Sequence, residues 1–327
     1  MYLYELVGEV DDFARYEANA VASSVRPLAP GLAIAETAPS LVESLGYTRH
    51  VSTYIGACDP TPDAAAAALA AHSIDRSGTV AVRARSIRGM QVDTQAVERT
   101  VGTVLDDGGF SIDLESPEHE LRIVFSGDQG YIGWEYCTPT PNFSKRRPAD
   151  RPFFQPGSME PRLARALVMI VGGKPGRRIL DPMCGTGGIL LEAGLIGMDV
   201  LASDVQDKMI RGTQRNFDTL VPNGSLAVFR ASAAALPLDA NSCDAVVFDA
   251  PYGRQSPIRD DEQSTLLDNT LAEAQRVAPR AVVVSDRPID ETLALAGWTI
   301  RANFTHQVHR SLDRYIYDLE ATEVTGK

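Results

Sequence analysis

Three acids stand where chemistry could use them. In VVFDAPYGRQ (residues 246–255), Asp249 closes an apolar run and is followed at once by Pro251, which stiffens the exit. Tyr252 then sets an aromatic ring three positions from the acid, and Gly253 frees the backbone. A carboxylate accepts hydrogen bonds, and a ring offers a flat face for stacking. In ILDPMCGTGGILLEAG (179–194), Asp181 ends a β-like run, Gly185, Gly187 and Gly188 make the turn, and a helical stretch follows directly. Glycines let the backbone close on a ligand, and a helix N-terminus offers unpaired amides to a carboxylate or phosphate. The spacing is Gly-x-Gly-Gly, unlike the Gly-x-Gly-x-x-Gly of dinucleotide sites, and an acid precedes it. An acid there suits a ligand with a cationic amino group, which S-adenosylmethionine has and NAD lacks. The next β-like run, in LASDV (201–205), reaches Asp204, whose carboxylate can accept both ribose hydroxyls. Acids at successive strand ends of one sheet read together as a cofactor site.

Those acids need a sheet to carry them. Residues 156–327 alternate short β-like runs with helical stretches. RRILD (177–181), DVLAS (199–203), LAVFR (226–230), DAVVFD (244–249) and RAVVVSD (280–286) are apolar or β-branched and stop at polar turns, so they read as strands. GGILLEAGLIG (187–197), QDKMIRGTQRNFDTL (206–220) and STLLDNTLAEAQRV (264–277) have helical spacing. The alternation predicts an α/β, doubly wound, mostly parallel sheet. WTIRANF (298–304) and SLDRYIYDLE (311–320) are too close for an intervening helix and predict an antiparallel hairpin at one edge.

The first 140 residues read differently. Turns such as DDGG and SPEHE separate short strands, and TPDAAAAALAAHS (61–73) is a helix, giving smaller α+β segments over 1–48 and 49–136. In TVAVRARSIRG (79–89), Val80, Val82 and Ala84 alternate inward with Arg83 and Arg85 outward, and Arg88 follows, making one basic strand face. TPTPNFSKRRPADRPFFQPGS (138–158) is a Pro-rich connector, so a linker is expected over 137–156 and a second domain over 157–327.

A length of 327 residues and 44% hydrophobic content allow about two domains with ordinary cores. No apolar stretch reaches the ~20 residues that span a bilayer, and MYLYELVGEV carries acid where a signal peptide carries base. The expectation is a soluble, cytoplasmic chain without a membrane partner. Cys58, Cys137, Cys184 and Cys243 lie far apart, with no Cys-x-x-Cys pair and no His at ligand spacing, so no metal site is expected. The net charge of −12 by itself argues against a nucleic-acid partner. Yet lysine occurs only at Lys145, Lys174, Lys208 and Lys327, against 27 arginines. An Asp-rich, Lys-poor chain is typical of adaptation to high salt, where surface charge is screened, so the acidity reads as a halophilic source and not as a clue to substrate. Between Asn142 and Arg178 nine basic residues, Lys145, Arg146 and Arg147 among them, face only Asp150 and Glu160, which offers a path for a phosphate backbone.

DPMCGTGG, SDV and DAPYG resemble the first, second and fourth motifs of class I S-adenosylmethionine-dependent methyltransferases that modify exocyclic amino groups of bases. FFQPGSMEPRLARALV (153–168) resembles the motif leading into the helix that, in this branch, packs over the methionine end of the cofactor. Residues 49–136 resemble a THUMP domain, an RNA-binding module that precedes such catalytic domains in tRNA-modifying enzymes. Taken together, the whole chain is similar to the archaeal tRNA (guanine-10-N2)-dimethyltransferase family. The resemblance implies a seven-stranded class I methyltransferase sheet behind a THUMP-containing region, with tRNA as partner and no DNA. It implies S-adenosyl-L-methionine as cofactor, held by Pro156, Ser158, Asp181, Cys184, Gly185, Gly187, Asp204, Ser232 and Asp249. RNA contacts are implied for Arg83, Arg85, Arg88, Lys145, Arg146 and Arg147. SLAVFRA (225–231) would be an edge strand, and related enzymes use that edge for a small zinc-binding activator protein, so such a partner is expected. Two positions depart from the pattern: Ala250 replaces the first proline of Asp-Pro-Pro-Tyr, and Ser232 stands where an acid usually faces the adenine amino group.

On this reading Asp249 and a backbone carbonyl (Ala250 or Pro251) accept the two N–H groups of an exocyclic amine, favouring a pyramidal nitrogen with its lone pair aimed at the methyl group. Tyr252 stacks on the base, which must leave its own stack, and Asp249 can later take a proton. Guanine presents two neighbouring donors, which suit a carboxylate, but aspartate versions also act on adenine; guanine rests on the resemblance. The rivals are a THUMP-type enzyme acting on another guanine or on adenine N6, a catalytically silent RNA-binding adaptor, and a small-molecule or protein-glutamine methyltransferase.

Overall fold

The computed structural model describes residues 1–37, 40–139, 141–250, 260–309 and 312–322. The chain separates into two units, Met1–Thr140 and Pro141–Lys327. In the first, β1 (Tyr2–Leu6), α1 (Asp11–Ala18), β2 (Arg26–Ala29), β3 (Leu32–Ala35) and the long β4 (Thr48–Cys58) come in order. They are followed by α2 (Pro62–Ala70), β5 (Thr79–Ser86), α3 (Thr94–Asp107), β6 (Ser111–Ile112), β7 (His119–Ser126) and β8 (Gln129–Cys137). All eight strands form one sheet, in the order β2-β3-β1-β4-β8-β7-β5-β6. The expected division at residue 48 therefore falls inside a continuous sheet: β1 pairs antiparallel with β4, Tyr4 opposite Val51. Helix α2 begins where Thr61 accepts the Ala64 amide at 3.2 Å and Pro62 pre-sets the first turn. Helix α3, not read from the sequence, starts on the Asp93 cap and buries Val97, Val101 and Leu105 at four-residue spacing against Val80, Val82 and Leu121.

The second unit opens with short 3-10 turns at Phe143–Arg146 and Pro148–Asp150, then α4 (Pro161–Ile170). Strands and helices alternate thereafter: β9 (Arg178–Asp181), α5 (Gly188–Leu195), β10 (Asp199–Asp204), α6 (Asp207–Leu220), β11 (Ser225–Arg230), β12 (Ala245–Asp249), α7 (Asp260–Val277), β13 (Arg280–Ser285) and α8 (Asp290–Leu295). A closing hairpin, β14 (Trp298–His309) and β15 (Leu312–Ala321), completes a seven-stranded sheet ordered β11-β10-β9-β12-β13-β15-β14. The first five strands in that order run parallel, and β15 is antiparallel to both β13 and β14. Runs such as Val246–Phe248 are buried on both faces, as the inner strands of a covered parallel sheet must be. This is the doubly wound architecture that the alternation predicted, with its hairpin at one edge and β11 at the other.

Candidate active site

Asp181, Asp204 and Asp249 end β9, β10 and β12, which are neighbours in the sheet. The three carboxylates thus share the carboxyl-end edge, where open α/β sheets take their ligands. Asp181 is 3% exposed and accepts the Met183 amide at 3.0 Å. Burial holds its carboxyl well above the usual carboxylate range; the Met183 amide opposes this, and the nearby charges of Asp204 and Asp249 add to it. A buried acid beside two other carboxylates is a place where a cationic ligand group would favour the charged form. Asp204 accepts the Gln206 amide at 2.9 Å on one oxygen and the Gly185 amide at 3.1 Å on the other, leaving each oxygen a second lone pair for a hydroxyl.

The glycine loop between β9 and α5 is held from beneath by polar residues of α6. Gly185 (φ 51°) and Gly187 (φ 78°) are both left-handed, and a Cβ on Gly187 would lie 2.8 Å from the Thr213 methyl. At Gly185 the nearest atom to such a Cβ is a carbonyl oxygen 4.0 Å away, so the loop crest faces open space in which a ligand can approach the backbone. Thr213 donates to the Gly185 carbonyl at 2.9 Å, and Asn216 donates to the carbonyls of Thr186 at 2.9 Å and Phe153 at 2.8 Å. The Gly185 amide is taken by Asp204 and the Gly187 amide by the Cys184 carbonyl at 2.7 Å. What fits the amino-acid end of S-adenosylmethionine is therefore the buried acid Asp181, able to face a cationic group, beside the N-terminus of α5, able to face a carboxylate.

The segment before α4 packs onto this loop. Ser158 donates to Gln155 at 2.7 Å and lies 3.0 Å from the Thr186 hydroxyl, while Pro156 is exposed beside it. Arg151 is buried and donates to Arg146, Thr186 and Met159. Ser232 follows β11 with its hydroxyl turned to the Ala234 amide at 3.3 Å, and the adjacent Ala231 amide meets the Asp204 carbonyl.

Cys184, expected at the cofactor, is 5% exposed, with its thiol 3.6 Å from the Thr213 hydroxyl and its amide on the Ser203 carbonyl, so its side chain packs within the loop. One expectation needs correction. Arg146, expected on the phosphate path with Lys145 and Arg147, turns inward instead. It donates to both oxygens of Glu192 at 2.8 and 3.1 Å, and Arg165 meets the same carboxylate at 2.8 Å. The reason is Glu192 itself: a fully buried carboxylate on α5 needs charged partners. Lys145 and Arg147 remain exposed.

Asp249 keeps its side chain about one-fifth exposed, and Arg314 of β15 reaches its Oδ2 at 3.4 Å. The Ala250 amide bonds the Val284 carbonyl at 2.8 Å, fixing the backbone just past the acid. Pro251, Tyr252 and Gly253 lie outside the described residues. Arg314, Thr213, Asn216 and Glu192 were not singled out in the sequence; the one signal it offers is a polar residue inside an apolar strand or on a helix face that must be buried, which does not name the partner.

In the first unit, Arg83 donates to the Leu114 carbonyl at 2.7 Å and Arg88 to Gly8 at 2.9 Å and to Asp11. Arg85, Arg88 and Arg49 line a cavity of about 250 Å³ with Glu5. Burial there, with Arg49 alongside, pushes the Arg85 pKa down.

Residues 148–316 match the family described as UPF0020, RMKL-like, methyltransferase domain. The chain is 37% identical over 292 residues to the tRNA (guanine(10)-N2)-dimethyltransferase of Methanothermobacter thermautotrophicus, covering 86% of this chain and 84% of that one. It is 28% identical to the enzyme of the same name from Pyrococcus abyssi, over 75% of this chain and 74% of the relative. The crystal structure of TrmN from Thermus thermophilus shares the fold, with a TM-score of 0.53, 22% identity, and coverage of 98% of this chain and 99% of that one.

Proposed function

The chain belongs to the archaeal tRNA (guanine(10)-N2)-dimethyltransferase family and carries its methyltransferase domain, and from that premise we propose that it methylates the exocyclic N2 amine of a guanosine in tRNA, at position 10, first once and then twice. The observation that carries the reading is the row of Asp181, Asp204 and Asp249 along one edge of a parallel sheet, beside a left-handed glycine loop. S-adenosylmethionine supplies an electrophilic methyl group when bound. Asp181 would hold its amino group, the glycine loop and the N-terminus of α5 its carboxylate, Asp204 its ribose and Ser232 its adenine, with Ser158 and Pro156 at the methionine end.

Asp249 and the Ala250 or Pro251 carbonyl then take the two N–H groups of the amine, and Tyr252 stacks on the flipped base. The amine nitrogen would take the methyl group as the cofactor's sulfur gives it up, and Asp249 or water would take the surplus proton. Most of the acceleration comes from holding nitrogen and methyl in line. The first unit, THUMP-like over 49–136, supplies RNA affinity through Arg83, Arg85 and Arg88; in the second unit Lys145 and Arg147 are separate candidates for phosphate contact. Incubation with an unmodified tRNA transcript and S-adenosylmethionine, followed by nucleoside mass spectrometry, tests this. N2-methyl- and N2,N2-dimethylguanosine mapped to position 10 are expected; methyladenosine, or no product, contradicts it.

The edge position of β11, with Leu226 and Val228 half exposed, supports a separate reading in which a small zinc-binding activator protein pairs with it. Val228→Lys should weaken co-purification of that partner from the native host. A fully active chain purified alone counts against it.

A further inference from the structure

We propose that Arg314 is the positioning residue of Asp249, holding its carboxylate charged and turned to the reaction edge so that it can accept the amine hydrogens; the inference rests on the methyl-transfer reading above. Geometry makes the assignment. The ladder between β13 and β15 ends at Ser285 with Tyr315, so Arg314 stands one residue beyond the last pair. From there its guanidinium crosses the open end of β13 to reach Asp249 on β12. Only an antiparallel neighbour does this: β15 brings its first residues to the edge where the parallel strands end. The two side chains also differ in access, 7% exposed for Arg314 and 22% for Asp249, so the cation lies behind an acid that a substrate can still touch.

The charge balance of the edge gives the pair a purpose. Asp181 and Asp204 have a cationic cofactor end and backbone amides to offset them. On the methyl-transfer reading Asp249 faces a neutral amine and must accept its hydrogen bonds, with Asp181 close by on the neighbouring strand. Groups near Asp249 include Asp181 from β9, the apolar Val284 in register on β13, and Arg314 from β15, with His306 of β14 opposite Arg314 in the hairpin. Arg314 is a cation placed directly against this carboxylate. Arginine suits the task because it stays protonated when desolvated.

The test uses full-length Arg314→Met and Arg314→Lys, each alone and with Asp249→Asn. Single-turnover methyl transfer to tRNA is followed from about pH 5 to 9, alongside affinity for S-adenosylhomocysteine. Arg314→Met should lower the transfer rate ~10–100-fold, the range for losing a group that orients a catalytic one. Cofactor affinity and the tRNA concentration at half-saturation should stay unchanged, and the acid limb of the pH profile should move to higher pH. Arg314→Lys, which keeps the cation with less reach, should fall between, and it carries the test if the methionine variant does not fold. In the Asp249→Asn background, Arg314→Met should add no further loss. A wild-type rate and acid limb in Arg314→Met, or a full multiplicative loss on top of Asp249→Asn, overturns the assignment. A fully active Asp249→Asn chain instead sinks the role of Asp249 itself, and the assignment with it.

Discussion

Asp181 shows how a single residue couples fold to cofactor. Its raised pKa means that the folded chain holds the proton more tightly than the unfolded one. Without ligand, its contribution to stability is therefore full below the ordinary carboxylate value of about 4 and declines as pH climbs through the raised value. A cationic amino group reverses the preference, because it favours the charged carboxylate. Affinity for the cofactor should then rise with pH over the same window and binding should release a proton, as calorimetry in buffers of different ionisation heat would record. Asp181→Asn should weaken binding and flatten that dependence; a wild-type affinity indifferent to pH would argue that Asp181 does not face the amino group. This acid was legible in the sequence because it stands one turn before a glycine loop. Arg314 was not, since its partner lies 65 residues away and meets it only through the topology of the hairpin.

At the scale of elements, the candidate site is set by what lies under it. Helix α5 runs GILLEAGL, and the one acid in that apolar stretch, Glu192, is buried against Arg146 and Arg165. Through it the connector, α4 and α5 become one packed layer, and Arg151, Ser158, Thr186 and Asn216 tie that layer to the glycine loop. Glu192→Gln keeps the shape and removes the charge that Arg146 and Arg165 share. Breaking a buried pair in this way costs about 3–5 kcal/mol, which should lower the melting temperature of the second unit by roughly 10 °C. Scanning calorimetry reads this directly, and an unchanged transition would show that water reaches the cluster. Strands and helices of this unit were readable because period and turn chemistry are local. The inward turn of Arg146 was not, because a run of basic residues carries no mark of which one will find a buried acid.

The whole molecule divides after residue 140, a point within the 137–156 stretch read as a linker. The Pro-rich stretch looked like a free connector, yet Arg146 and Arg151 are buried within the second unit. A fragment of residues 141–327 should therefore bind S-adenosylmethionine like the full chain and methylate tRNA poorly, whereas one starting at Gly157 should lose stability as well. Calorimetry and methyl-transfer assays separate the two, and equal turnover by fragment and full chain would contradict the assignment of RNA affinity to the first unit. The most direct measurement concerns the acid at the end of β12. Asp249→Asn preserves shape but replaces an acceptor oxygen with a donor that points at the guanine N–H groups. In the full chain, single-turnover methylation of tRNA should fall by about 10²–10³, the loss typical of one transition-state hydrogen-bonding group, while S-adenosylmethionine affinity stays near wild type. Transfer to guanine N2 at close to the wild-type rate would show that the carboxylate is not the group that holds the amine.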